Sequence, residues 1–201
     1  MKLFILLQIL FNFQEGDLLF QDCQCGAICE AIEDVTQLND KRRFSHMAIV
    51  VGDSGQLKVI EANVQGVKMV SLDSFLNRYT DKQGHPRIAV GRVEEDYEYL
   101  IPKVVEFVKS KLDMEYDYEF KLNNDKFYCS ELIYEAFYFA NMDTEFFAQN
   151  RMTFKKYKTK EFHPVFVEYY RNQKKKIPEG KLGTNPAQLS RDKRLKITYL
   201  Y

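Results

Sequence analysis

The order of apolar and polar residues over the first hundred positions is typical of short strands. Apolar or β-branched runs bounded by glycine, proline or polar clusters indicate strands. Such runs occupy residues 16–20, 44–51, 56–62, 67–70 and 87–93. The second and third runs are separated by Gly52-Asp53-Ser54-Gly55, and a turn of this composition predicts a β-hairpin.

Apolar residues at helical spacing predict four helices, over residues 25–38, 72–79 and 97–112 and for about twelve residues from Cys129. Ser71 precedes the second segment as a favourable N-cap, and Pro102 lies near the first turn of the third, where proline is tolerated. Residues 151–201 contain three prolines and two glycines. This last part of the chain therefore predicts a loop with short elements.

The composition is that of one globular domain. With 201 residues, 45% of them apolar and 29% charged, the chain is neither disordered, collagenous nor a polytopic membrane protein. Basic and acidic residues number 29 each, so no overall excess of charge favours nucleic acid as a partner.

The charges are unevenly distributed along the chain. Residues 151–201 carry 14 basic and 4 acidic side chains, which leaves 15 basic and 25 acidic for residues 1–150. Either the basic tail, with Lys174–Lys176 in its middle, lies against the acidic body and neutralises it, or it forms a surface for an anionic membrane or cell wall.

The amino terminus bears on localisation. Residues 3–11 form an apolar run after Lys2 that is shorter than the roughly 20 residues needed to span a bilayer. Residues 1–13 are therefore either a signal peptide or a packed N-terminal segment, and residues 14–201 form a single domain. A signal peptide implies a periplasmic or secreted protein, and a packed segment implies a cytoplasmic one.

Four cysteines are too few to build a disulfide scaffold in a chain that is long enough to bury a core. Three of them, Cys23, Cys25 and Cys29, have C-x-C-x₃-C spacing with no histidine nearby, which is unlike the paired spacing of a structural zinc site. Cys25 and Cys29 share one helical face, a spacing usual for packing. In an oxidising compartment Cys23 and Cys25 are candidates for disulfides.

The predicted hairpin brings together a histidine and a carboxylate. A hairpin that closes around Asp53–Ser54 pairs Val51 with Gln56. The same register places His46 directly opposite Glu61, with their Cβ atoms about 5 Å apart. A carboxylate at that distance orients an imidazole for acid–base work. The alternative is a cross-strand ion pair on an exposed sheet.

Cys129 adds a nucleophile. It stands at the predicted first turn of its helix, after the capping side chains of Asn123-Asn124-Asp125, and helix N-termini stabilise thiolates. The alternative is a buried structural cysteine, because Cys129 shares the apolar face of Leu132. Cys129, His46 and Glu61 together supply the nucleophile, base and orienting group of a thiol hydrolase.

Several short sequence motifs resemble those of a known family. They are GDLLFQD at 16–22, FSHMAIVVGD at 44–53, VIEA at 59–62, YDYEF at 116–120, FYCSELIYEAF at 127–137 and GTNPAQLS at 183–190. Across nearly the whole chain after Phe13, the sequence resembles the circularly permuted papain-fold enzymes related to NlpC-type peptidases, in particular the YiiX/YaeF-like group. The resemblance implies an α+β fold in which an antiparallel sheet or small barrel packs against helices.

The resemblance also implies roles for named residues. Cys129, His46 and Glu61 match the family's active site, and Tyr116 matches a tyrosine that lines the substrate pocket. The expected activity is hydrolysis of an amide or ester bond in a cell-envelope peptide or lipid-like substrate, through an acyl-thioenzyme. An acyltransferase with the same site and a non-catalytic ligand-binding module are the alternatives. The mechanism requires no metal and no cofactor, and the oligomeric state is not predicted.

Overall fold

The computed structural model describes residues 11–36 and 43–200. Most of the predicted signal peptide or N-terminal apolar segment lies outside the described residues. Within them, the rings of Phe11 and Phe13 pack edge to face with centroids 4.8 Å apart. Phe13 is buried against the apolar residues on one side of the central sheet, so the described chain joins the core from its first residues.

The described residues form eight strands: β1 Leu18–Gln21, β2 His46–Asp53, β3 Gln56–Asn63, β4 Gly66–Ser71, β5 Ile88–Val93, β6 Asn150–Arg151, β7 Leu182–Gly183 and β8 Leu195–Tyr199. Six of them build one antiparallel sheet in the order β4-β3-β2-β1-β5-β8, and β6 pairs with β7. The helices are α1 Ala27–Thr36, α2 Leu72–Leu76, α3 Ile101–Ser110, α4 Cys129–Ala140, α5 Pro164–Asn172 and α6 Pro186–Leu189. The predicted α+β architecture is confirmed, with an open sheet in place of a barrel.

Both faces of the sheet are buried. Along β1, Leu18 and Phe20 point into a large cluster with α3 and α4, whereas Leu19 points into a second cluster beneath α2. Such a sheet is held by apolar contacts on both sides. The N-terminal end of α4 is thereby fixed against the strands that carry the candidate site.

The β2–β3 hairpin has a register different from the predicted one. Asp53 pairs with Gln56, and Val51 pairs with Lys58, so the two-residue turn is Ser54–Gly55. Both turn residues have positive φ, 49° and 77°, as a type I′ turn requires, and glycine adopts that conformation without strain. The prediction of closure around Asp53–Ser54 was therefore wrong by two residues in register.

Two further elements differ from the predictions. The predicted helix over 97–112 is a 3₁₀ helix at Glu95–Leu100 followed by α3, with Pro102 in the first turn of α3 as expected. The carboxyl-terminal part, predicted as a loop with short elements, contains the nine-residue helix α5 and the edge strand β8. Among the described residues, no helix has the length and apolar character needed to cross a membrane.

Candidate active site

His46 and Glu61 form a direct hydrogen bond inside the protein. The Nε2 atom of His46 lies 2.6 Å from Oε2 of Glu61, whose side chain has no exposed surface. The prediction that the two residues occupy facing positions of the hairpin was wrong, because the register is shifted. A shift of two positions preserves the face to which each side chain points, so the prediction that they share one side of the hairpin is confirmed.

Cys129 is the first residue of α4 and is buried. The predicted capping by Asn123–Asp125 is wrong. The backbone before the helix is extended at Tyr128, and the Glu131 carboxyl group accepts the N–H of Tyr128 at 3.3 Å. The Asn124 side chain instead accepts the N–H of Lys126 in the preceding loop.

The side chains of Cys129 and His46 lie close enough to interact. Burial lowers the pKa of His46, but the hydrogen bonds to Cys129 and Glu61, together with the charges of both partners, raise that pKa to about 9. Because Nε2 faces Glu61, Nδ1 is the ring nitrogen that remains for the sulfur. The arrangement therefore favours a protonated imidazole of His46 beside an ionised Glu61 at neutral pH.

Arg78 completes this row of charges, and sequence reasoning missed it. Its Nη1 donates to Oε2 of Glu61 at 2.8 Å, and its Nη2 donates to Oε1 at 2.6 Å. Burial raises the pKa of Glu61, but the hydrogen bonds from His46 and Arg78 outweigh burial and bring that pKa to about 2. No motif or spacing pointed to Arg78, because only the packing of α2 brings it to the site.

Tyr116 lies near the candidate nucleophile. Burial raises the pKa of Tyr116, and the charge of Cys129 raises it further. The side chain lines a cleft of about 350 Å³ whose walls are Tyr116, Asp117, Tyr118, Glu119, Lys126, Gln173 and Lys175. Tyr116 thus belongs both to the surroundings of Cys129 and to a cleft whose rim carries both signs of charge.

The GTNPAQLS word lies against the start of α4. The backbone N–H of Thr184 donates to the Tyr128 hydroxyl at 3.1 Å, and the Thr184 hydroxyl donates to Oγ of Ser130 at 3.0 Å. All three residues are buried. These contacts hold the residues on either side of Cys129, which explains why this motif belongs to the site although it is distant in the sequence.

The other cysteines divide into a disulfide and a free thiol. Cys25 and Cys29 are bonded at the start of α1. Cys23 is a buried free thiol, and burial raises its pKa. The charges of Cys129 and Arg78 also act on Cys23, so this second thiol lies in the surroundings of the site.

The donor atoms of the site are already bound to protein partners. Within residues 11–36 and 43–200, no three histidine, cysteine or acidic side chains are grouped so as to hold a metal. At the candidate site both oxygens of Glu61 already accept hydrogen bonds from Arg78, and one also accepts from His46. The arrangement suits an ion-paired carboxylate better than a metal ligand.

Comparison with known proteins gives a consistent result. The sequence model of the permuted papain-like amidase enzymes, the YaeF/YiiX, C92 family, matches residues 12–199. The crystal structure of the metalloprotein yiiX from Escherichia coli O157:H7 superposes with a TM-score of 0.74, at 21% identity, over 95% of this chain and 99% of that chain. None of the curated proteins matches the sequence. The permuted papain-like fold predicted from the sequence is confirmed.

Proposed function

The chain belongs to the YaeF/YiiX family of permuted papain-like amidases, and on that premise we propose that it is a cysteine hydrolase that cleaves an amide or ester bond through an acyl-thioenzyme. The observation that carries the proposal is the buried Cys129 at the start of α4, close to the hydrogen-bonded pair His46–Glu61. Nucleophile, base and orienting carboxylate are the three parts that this chemistry requires.

In the reactive form the Cys129 proton has already passed to His46, and in the acylation step the thiolate attacks the substrate carbonyl carbon. The carbon–nitrogen or carbon–oxygen bond then breaks, and the imidazolium of His46 protonates the departing amine or alcohol. In the second step His46 takes a proton from water, the hydroxide attacks the thioester, and the thiol of Cys129 is regenerated. Glu61 stabilises the imidazolium during both steps.

The oxyanion of each tetrahedral intermediate would lie at the start of α4. The first N–H groups of a helix have no partner within the helix, and the N–H groups at Cys129 and Ser130 belong to this set. They are held by the contacts of Thr184 with Tyr128 and Ser130. Fixed donors of this kind stabilise the charge that develops on the oxygen.

The proposed substrate is a small peptide, amide or lipid-like molecule. A cleft of about 350 Å³ is of the size that takes small ligands. Tyr116 and Tyr118, with ring centroids 5.0 Å apart, offer an aromatic wall for an apolar or peptide portion. The charged rim offers partners for polar groups farther along the substrate.

The Cys25–Cys29 disulfide supports a place outside the cytoplasm for this activity, either periplasmic or secreted. Disulfides persist in oxidising compartments and are reduced in the cytosol. Mass spectrometry of the protein isolated from its native compartment, with free thiols blocked at lysis, tests this proposal. Free thiols at both positions in the isolated protein would contradict it.

The test of the proposed chemistry is a panel of N-acyl amides, short peptides and esters, assayed with the wild type and with Cys129→Ala. We expect hydrolysis by the wild type, a trapped acyl group on Cys129 in mass spectra, and no turnover by Cys129→Ala. Cys23→Ala removes the other free thiol and is the matched control, with activity retained. Equal turnover by Cys129→Ala would refute the thiol mechanism. Acyl transfer to an added amine in place of water would instead indicate an acyltransferase.

A further inference from the structure

We propose that Arg78 is a positioning residue of this site, which holds the Glu61 carboxylate in the orientation that binds His46. The inference rests on the proposed function and names the residue on which its catalytic geometry depends. Both guanidinium contacts go to Glu61 in a two-pronged pair, at 2.8 and 2.6 Å. This geometry fixes a carboxylate in direction as well as in charge.

Glu61 needs such a partner because it is fully buried. A buried carboxylate without a counter-charge becomes protonated instead of staying ionised. One of its oxygens accepts from both His46 and Arg78, and the other accepts from Arg78 alone. If Arg78 were absent, the carboxyl group could rotate or take up a proton, and either event weakens its bond to the imidazole.

Arg78 is itself held in place by α2. Its backbone N–H donates to the Phe75 carbonyl at 3.3 Å, and its guanidinium lies over the Phe75 ring, 5.1 Å from the centroid. The same ring lies 6.1 Å from the His46 ring. α2 begins at a cap in which Ser71 accepts the N–H of Ser74. This short helix therefore brings an arginine and an aromatic ring to the site together.

The charged and titratable groups around this row come from several elements. Cys129 of α4 and Glu61 of β3 face His46. Glu61 contacts the guanidinium of Arg78, and the charges of Cys23 and Tyr79 act on it. Of these groups, only Glu61 contacts both His46 and Arg78, so the effect of Arg78 on the imidazole passes through that carboxylate.

The test uses measurements that need no substrate. Nuclear magnetic resonance follows the titration of the His46 ring, and mass spectrometry follows the rate at which iodoacetamide alkylates Cys129 at each pH. In Arg78→Met we expect the His46 titration to fall by about one pH unit and alkylation near neutral pH to slow by about tenfold. Arg78→Lys keeps the charge without the two-pronged geometry and should restore part of both signals.

Arg92→Met is the matched control, because Arg92 makes an equivalent two-pronged pair with the buried Asp17, at 2.7 and 2.8 Å. It should leave the His46 titration unchanged. In a Glu61→Gln background, Arg78→Met should add no further shift. A folded Arg78→Met or Arg78→Lys protein with the wild-type titration and alkylation profile overturns the proposal. Since neither readout involves turnover, failure to find a hydrolysed substrate would count only against the proposed function.

A separate surface supports a second inference, concerning a partner. Residues 154–163, the lysine hairpin, form a short turn closed by hydrogen bonds from Lys156 N–H to the Glu161 carbonyl and from His163 N–H to the Phe154 carbonyl, both 2.8 Å. At its base the Phe154 ring packs edge to face on Phe166, with centroids 5.0 Å apart. The hairpin is therefore a fixed projection of the folded domain.

The lysine hairpin combines basic and aromatic side chains on one exposed turn. It carries four lysines and one glutamate, and Tyr157 and Phe162 are 44% and 40% exposed. Lys160 lies over the Tyr157 ring and Lys155 over the Phe162 ring, at 4.7 and 5.1 Å from the centroids. Amphipathic rings flanked by lysines are typical of groups that sit among lipid head groups.

We infer that the lysine hairpin docks the protein on an anionic lipid surface. The basic tail is in part neutralised within the fold, since Lys175 pairs with Glu119 and Lys155 with Glu179. At the tip of the hairpin, however, the lysines at 158 and 160 are exposed. Their charge complements anionic head groups, whereas the rings supply the contact with the apolar region below them.

Cosedimentation with vesicles tests this inference. We expect the full chain to bind phosphatidylglycerol-containing vesicles at low salt, to release them at high salt, and not to bind pure phosphatidylcholine. Lys158→Gln with Lys160→Gln should weaken binding about 30-fold, and Tyr157→Ser with Phe162→Ser should also weaken it. Lys82→Gln with Lys103→Gln, at exposed positions elsewhere, is the control. The inference is overturned if the wild type does not bind, or if both hairpin variants bind as tightly as the wild type.

Discussion

Glu131→Gln is expected to stabilise the protein at neutral pH. Glu131 lies in the first turn of α4 with 1% of its surface exposed, and its carboxyl oxygen accepts the N–H of Tyr128. Burial raises the pKa of Glu131 to about 9, the charges of Asp117 and Glu135 add to the rise, and the Tyr128 hydrogen bond opposes it. The group is therefore protonated in the folded protein at pH 7 and ionised in the unfolded chain.

The magnitude follows from proton linkage. The ordinary pKa of the group is 4.5, so the unfolded chain releases this proton above that pH, whereas the folded chain keeps it up to about pH 9. Between these values the folded state binds more protons, and the free energy of unfolding falls as the pH rises. At pH 7 the loss is about 3 kcal/mol relative to pH 4. Glutamine is neutral throughout and retains an oxygen for the Tyr128 N–H.

Urea unfolding of the wild type and of Glu131→Gln at pH values from about 4 to about 8.5 measures the difference. We expect the two proteins to be equally stable near pH 4, and the variant to be more stable by about 3 kcal/mol at pH 7. Glu168→Gln, at an exposed position of α5, is the control and should show a small difference at every pH. A Glu131→Gln protein that is less stable at pH 7, or whose difference does not change with pH, would refute the reasoning.

Two further predictions concern the thiols and a glycine. A thiol-directed probe at mildly acidic pH should label Cys129, beside its imidazolium partner. It should leave Cys23 unlabelled until the protein unfolds, because burial raises the pKa of Cys23. Peptide mapping of the labelled protein tests this, and preferential labelling of Cys23 would contradict it. Gly66→Ala should destabilise the fold by about 2–4 kcal/mol, because a Cβ there would lie 2.5 Å from the Met114 carbonyl oxygen at a φ of +98°. Gly180→Ala, at a φ of +75° with open space around it, should cost about 1 kcal/mol in thermal unfolding, and equal losses in the two variants would refute the steric argument.

The parts of the site that the sequence predicted are those set by local rules. Side chains along a strand alternate between two faces, so the shared face of His46 and Glu61 could be predicted even with the register wrong. Likewise, helical spacing was sufficient to place Cys129 at a helix start. The register itself depends on which two residues adopt positive φ in the turn, and both Asp53–Ser54 and Ser54–Gly55 are acceptable as sequences.

Arg78 and β8 could not be predicted because their roles depend on tertiary packing. Arg78 reaches Glu61 only through the orientation of α2 on the sheet, and an isolated arginine after a short helix gives no signal of its own. In β8, Leu195 is buried, but Lys196 and Thr198 are exposed at the sheet edge. The alternation of apolar and polar residues is therefore short, and the polar residues are as typical of a loop as of a strand. β8 can be recognised only from its pairing with β5, and the role of Arg78 only from the position of α2.

The Ser54–Gly55 turn also limits how this hairpin can change during evolution. Because the parity of the ladder decides which face each side chain meets, a change of two residues in the turn keeps Glu61 on the side of His46. A change of one residue would send Glu61 into the apolar cluster that packs against α3 and α4 and put an apolar neighbour in its place. Relatives that retain this chemistry should therefore vary the length of the turn in even steps, or compensate an odd step with a β-bulge in one strand.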